Sequence, residues 1–314
     1  MSTDKKTRIE ELWLEVTDMS NDERTSSYHE LMNTLRGTGQ TDDAIQVGYA
    51  WLEYEDCEDG SRSLANSAFW LACVLSEKER HLEALEVSNR SLSRPNIFVE
   101  ATSIGYLYWH RGTDHGALGN FTEQATNYRK AIEFFDPETD ESALGTIHAL
   151  LGDALAELGL LDESAAAFAQ AIAYLEEDEE PDEVAGAKLS LAKVLLQQGH
   201  LTMARKYADE SFALCEFFGQ VNESNDALIV LGRIASAYND GELAESLLKR
   251  AGAKRDTPSD RQTAALAMFY WAVHLATHGR ENEAREEFTK VNPILRAVGL
   301  PETADKALGH LQTL

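Results

Sequence analysis

The chain has 314 residues, enough for two ordinary domains unless its organisation is repetitive. Its hydrophobic residues, 43% of the total, are spread along the whole length, which excludes extended disorder. With 54 acidic residues against 28 basic ones the net charge is −26, which excludes direct binding to nucleic acid phosphates or anionic lipid over most of the surface and favours basic partners.

In chain order, the first residues are polar and carry Lys5, Lys6 and Arg8, but Glu10, Glu11 and Glu15 stand where a leader would need an apolar core. Ile9, Leu12, Trp13, Val16 and Met19 have helical spacing and predict a capping helix within residues 1–24. Beyond it a 40-residue ruler governs the chain: Gly39, Gly119, Gly159, Gly199 and Gly279 fall on its marks, with Glu79 and Asn239 at the other two. Five residues after the mark stand Ala44, Ala84, Ala204, Ala244 and Ala284, with Gln124 and Ser164 as exceptions. Eight before it stand Leu31, Leu71, Leu151, Leu191, Leu231 and Trp271.

Apolar positions at spacings of three and four lie on one stripe of a helix, and a second such stripe follows each mark. Each unit therefore reads as two antiparallel helices that turn near the glycine, whose freedom at positive φ ends the first helix. The register gives seven units, 25–64, 65–104, 105–144, 145–184, 185–224, 225–264 and 265–304, and a capping helix over 305–314. Pro95, Pro137, Pro181, Pro258 and Pro301 fall in the joins, whereas Pro293 sits earlier in its unit and is expected to shorten the last second helix.

The order leucine, small residue, leucine, glycine and alanine, clearest from Thr146 to Ile172, resembles the tetratricopeptide repeat, in the extended form of kinesin light chain and some bacterial regulators. The resemblance implies an all-α fold, a right-handed α-α superhelix of seven helix pairs plus terminal caps. It further implies that unit positions 2, 5, 6, 9, 12 and 13 line a concave groove. These positions hold Phe69, Trp70, Tyr106, Trp109, Phe269 and Tyr270, the basic pair Lys193 and Arg233, and five carboxylates against three cations, a net of −2. Asp and Glu cluster elsewhere, in Glu53–Asp59, Asp136–Glu141 and Glu176–Glu183.

No nucleophile elbow, phosphate-binding glycine loop or H-E-x-x-H motif is present. Cys57, Cys73 and Cys215 are odd in number, without a C-x-x-C pair, and read as free thiols of a reducing compartment. The local anomaly is Tyr108–Gly116, where Arg111 and His115 replace apolar residues and where His110, Asp114 and His115 lie close enough on one helix to suggest a metal or acid–base site; a degenerate structural repeat accounts for the same residues.

No apolar run approaches the roughly 18 residues needed to span a bilayer, so a cytoplasmic location and no membrane contact are expected. The expected function is a non-enzymatic scaffold, without cofactor, that captures a peptide or helix of a partner protein in the groove through the eight residues named above. The alternative is an acidic decoy that mimics nucleic acid and occupies a basic DNA- or RNA-binding protein.

Overall fold

A computed structural model describes residues 9, 11–14, 16–17, 21–56, 64–94, 101–177, 181–253 and 256–314. Contacts group the chain into two compact units, Met1–Leu158 and Gly159–Leu314. Among the described residues every regular element is an α-helix.

The first unit holds α1 (Asn21–Gly37), α2 (Thr41–Glu55), α3 (Leu64–Glu77), α4 (His81–Leu92), α5 (Ala101–Ala117), α6 (Phe121–Ile132) and α7 (Glu141–Glu157). The second holds α8 (Leu161–Glu177), α9 (Pro181–Gln197), α10 (Leu201–Phe218), α11 (Val221–Ala237), α12 (Gly241–Ala251), α13 (Pro258–Thr277), α14 (Glu281–Ala297) and α15 (Pro301–Thr313).

All seven marks of the 40-residue ruler take the left-handed backbone conformation, Glu79 (φ 58°) and Asn239 (φ 64°) as well as the five glycines. The turn is the same at each described case: the amide after the mark donates back across the helix end, as in Gln40 N to Leu35 O at 2.9 Å, Arg80 N to Leu75 O at 3.0 Å and Asp240 N to Ala235 O at 2.9 Å. This 6→1 bond satisfies a carbonyl that the helix end would otherwise leave open. Gly219 and Gly299 repeat the conformation between pairs, closing α10 and α14.

The small residues behave as spacers between helix backbones. Ala44, Ala84, Ala204, Ala244 and Ala284 are all fully buried, as is Ser164. Gln124 departs from this row and is accommodated by Gly116 on the facing helix, where a Cβ would come within 2.4 Å of its Nε2. Leu31, Met32, Leu35, Leu71, Ala72 and Leu75 are buried against second helices in one cluster that Ile9, Leu12 and Val16 of the N-terminal segment join. Met19 lies outside the described residues, and Trp13 is exposed.

Two local expectations change. Pro293 lies inside α14, which continues to Ala297, so it does not shorten the helix. Val291 and Leu295 on either side of it are buried in one cluster with Ala304 and Ala307 of α15, and that burial outweighs the lost backbone bond. The terminal helix starts at Pro301 rather than residue 305, because proline suits the first helical turn, where its missing N–H leaves no orphan.

Candidate functional site

In the first unit, unit position 5 places His29, Phe69 and Trp109 on α1, α3 and α5, and position 6 adds Trp70 and His110. All five are half-buried, and Tyr106 remains 37% exposed. Their rings form a connected row. His29 lies 4.5 Å from Trp70, Trp70 5.2 Å from Phe69, Phe69 5.5 Å from Tyr106, and Tyr106 5.8 Å from Trp109 in a stacked pair. Phe69 also meets His110 edge-on at 5.4 Å, and Tyr106 meets Phe135 at 5.1 Å. Below the row, the fully buried Trp51 touches His29 at 6.0 Å and fixes it to the core.

The opposite faces of α1 and α3 are covered by second helices, so the row lies on the face those helices leave uncovered. Four of the proposed groove residues, Phe69, Trp70, Tyr106 and Trp109, are thereby brought together. His29 belongs with them; the repeat register was the signal, since it occupies the same unit position as Phe69 and Trp109. Asn33 donates its side-chain N–H to His29 Nε2 at 2.8 Å, and burial lowers the His29 pKa, so the ring is held neutral.

Beside the row, the anomalous third unit forms a buried polar node. Cys73 Sγ lies 2.9 Å from His110 Nε2, and Asp114, fully buried, accepts from Ser76 Oγ at 2.6 Å and lies 2.9 Å from His81 Nδ1. Burial pushes the Cys73 thiol up to about 12, against a small opposing pull from Arg36, and burial lowers the His110 pKa. Thiol and imidazole are therefore both neutral, the reverse of the thiolate–imidazolium pair that a cysteine nucleophile requires.

Among the described residues no group of three His, Cys, Asp or Glu side chains could hold a metal ion. Of the three residues suggestive of a metal, His110 and Asp114 instead bond across helices to Cys73, Ser76 and His81, and the node joins α3 and α4 to α5. Cys73 and Cys215 are buried free thiols; Cys57 lies outside the described residues.

Gly112 explains part of the same anomaly. A Cβ there would come within 2.5 Å of the Tyr128 ring, which is fully buried and whose Oη lies 3.3 Å from Thr113 Oγ1. Arg111 lies over Tyr108 at 5.7 Å, which gives its partly buried guanidinium a ring face in place of water.

In the second unit the proposed groove residues separate. Lys193 is exposed, whereas the Arg233 guanidinium lies 4.5 Å over Tyr270. Asp226 on α11 lies near Lys193; burial raises its pKa, with Lys193 and a hydrogen bond from Thr263 pulling the other way. Phe269 is not available as an anchor. It is only 5% exposed, because α14 and α15 bring Phe288 to 6.0 Å and His310 to 6.2 Å from its ring.

No protein-family model matches the chain, and no curated protein matches it either. Solved structures do. The tetratricopeptide repeat sensor protein of the STAND class from Pyrococcus horikoshii superposes with a TM-score of 0.67 at 17% identity, over 96% of this chain and 48% of that longer one. A Rap protein complexed with Competence and Sporulation Factor gives 0.61 at 16% identity, over 91% of this chain and 80% of that one. The Rap conjugation gene regulator of plasmid pLS20, in complex with the Phr* peptide, gives 0.56 at 16% identity, over 85% and 78%. The fold is that of tetratricopeptide-repeat proteins.

Proposed function

We propose that the chain is a non-catalytic protein-binding scaffold that captures a peptide or helix of a partner protein along the uncovered face of its first helices. The observation that carries this reading is the row His29, Trp70, Phe69, Tyr106 and Trp109, whose rings run across α1, α3 and α5 with no covering helix among the described residues. Aromatic rings bury large areas at small entropic cost and are the favoured anchors of partner recognition. Two neighbours of the same fold were solved in complexes, the Rap protein with Competence and Sporulation Factor and the pLS20 regulator with the Phr* peptide, which supports the reading. Lys193, Arg233 and Tyr270 are proposed as further contacts in the second unit.

The test is affinity purification from the native cell at low and high salt, with the wild-type chain, the Trp70→Ala/Trp109→Ala variant, and a variant neutralised at Glu176, Glu177, Glu179 and Glu180. Capture through the row predicts a partner that survives high salt and is lost from the tryptophan variant, at a cost of about 2 kcal/mol or more. Loss confined to the glutamate variant, with steep salt sensitivity, would replace this reading with the nucleic-acid-mimicking decoy.

A further inference from the structure

We propose that Arg111 of α5 and Lys130 of α6, which meet at the ring of Tyr108, form a binding site for a doubly charged oxyanion of the phosphate class. The site uses none of the residues of the aromatic row, and the inference does not depend on the scaffold reading.

The anomaly of the third unit supplies the first observation. Arg111 occupies unit position 7, where the other six units hold five leucines and Trp271. Those leucines, among them Leu31, Leu71 and Leu151, are buried. A guanidinium on this stripe loses hydration and gives up apolar packing, a cost that leucine would not carry. His115 repeats the departure one turn later, at a position that is leucine or alanine in every other unit.

The surrounding protein does not answer that charge with an anion. Arg111 is part-buried, and its Nε is buried without a hydrogen-bond partner. Burial lowers its pKa and only Tyr108 opposes, so no carboxylate contributes there. The carboxylates of Glu123 and Asp114 act instead on His115, whose Nδ1 is likewise buried without a partner.

A second cation separates Tyr108 from the other rings. Arg111 lies 5.7 Å and Lys130 5.4 Å from its centroid, so positive charges from two helices converge on one ring. Among the described residues, each other ring with an overlying cation has a single one. Lys130 is exposed and reachable from solvent. A ring face attracts both cations, but it offers no oxygen to their N–H donors and no full charge against their mutual repulsion. An oxyanion between them supplies acceptor and counter-charge together, and a dianion matches two cations where a single carboxylate would match one.

The experiment titrates inorganic phosphate into the full chain by calorimetry, against sodium chloride at matched ionic strength, and repeats the titration with N-acetyl-phosphoserine amide and with malonate. Arg111→Leu restores the residue that most units use, so circular dichroism should show an intact fold while phosphate binds at least about tenfold more weakly. Lys130→Gln, at an exposed position, should weaken binding about threefold. Tighter binding of the phosphoserine amide would identify a phosphorylated side chain as the source of the group, and equal or tighter binding of inorganic phosphate would identify the free anion; both uphold the site.

Phosphate that gives no titration beyond the chloride control, or that binds Arg111→Leu as tightly as wild type, would overturn the proposal. Malonate bound as tightly as phosphate would overturn the phosphate class in favour of a dicarboxylate. Should Arg111→Leu unfold, Lys130→Gln decides, and unchanged affinity there removes the site. Each of these failures leaves the scaffold reading intact, because no residue of the row is altered.

Discussion

The thiol of Cys73 and the imidazole of His110 lie 2.9 Å apart, one on α3 and the other on α5, and neither carries charge. The pair resembles a catalytic dyad in composition and is its opposite in electrostatics. Only 8% of Cys73 is exposed, so nucleophilic reactivity is suppressed twice, by protonation and by access. Native labelling with iodoacetamide near neutral pH, mapped by mass spectrometry, should modify Cys73 at least about tenfold more slowly than the urea-unfolded chain. Faster native labelling would identify a thiolate and reopen a catalytic role.

Gly112 and Gly186 both lie inside helices, yet alanine should have opposite effects at the two sites. At Gly112 the added methyl would meet the Tyr128 ring at 2.5 Å, whereas at Gly186 nothing lies within 4 Å. Gly186→Ala should raise stability by about 0.5–1 kcal/mol through helix propensity and the unfolded chain's lost freedom. Gly112→Ala should lower it by about 1–3 kcal/mol, since overpacking a fixed ring exceeds that gain. Urea midpoints of the two variants measure the signs, and a shift in the same direction would contradict the packing.

Glu79 and Asn239 occupy the ruler marks without the residue best suited to positive φ. Glycine at residue 79 should stabilise the chain by about 1 kcal/mol, from relief of left-handed strain. Asn239→Gly should gain less, because asparagine tolerates this region better. Thermal unfolding of both variants tests the order, and equal losses would show that the side chains contribute more than the strain they bear.

Burial lowers the His274 pKa, and the neighbouring His278 and Arg280 lower it further, with Glu245 opposing. Its Nδ1 lies 2.8 Å from Ser236 Oγ, and its ring stacks on Trp271 and His278. The unfolded chain protonates this histidine at the ordinary value of 6.5 while the folded one resists. Its stabilising contribution is therefore complete above that value and is lost as pH falls through it. Stability measured from about pH 7.5 to pH 5.5 should fall more steeply for the wild type than for His274→Gln. Parallel curves would remove His274 from the account.

The proposed 40-residue register can be tested inside the second unit. Deleting Ala185–Ser224 would join the Pro181–Val184 turn of α9 to the body of α11, which begins with the equivalent turn. Neighbour contacts dominate such stacks, so a shorter cooperative helical protein should result. Deleting residues 185–204 alone would leave α10 without its pair and should broaden or lower the unfolding transition. Equal transitions for the two deletions would refute the register.

Sequence by itself determined the helix pairs and their turns, because both are written at short range. Stripes at spacings of three and four fix which face of a helix is buried, and the marks fix where it ends. The same left-handed turn at Glu79 and Asn239 shows that the periodic pattern carried information beyond glycine itself. The expectation that Phe69, Trp70, Tyr106 and Trp109 share one face comes from the resemblance to the tetratricopeptide repeat rather than from the stripe.

Tertiary structure alone decided what each of those side chains meets, because a helix register gives a direction and says nothing of the neighbour arriving from 20 or 40 residues away. Phe269 shares its unit position with His29, Phe69 and Trp109 but is covered by Phe288 and His310. The Arg233 guanidinium lies over Tyr270, and Arg36 is paired with Glu77. His110 and Asp114, a suggestive pair on one helix, turn to Cys73, Ser76 and His81 on its neighbours. Burial then fixes the protonation of Cys73 and His110, since a low-dielectric interior disfavours the charged form of each group, and that depends on packing rather than on residue type.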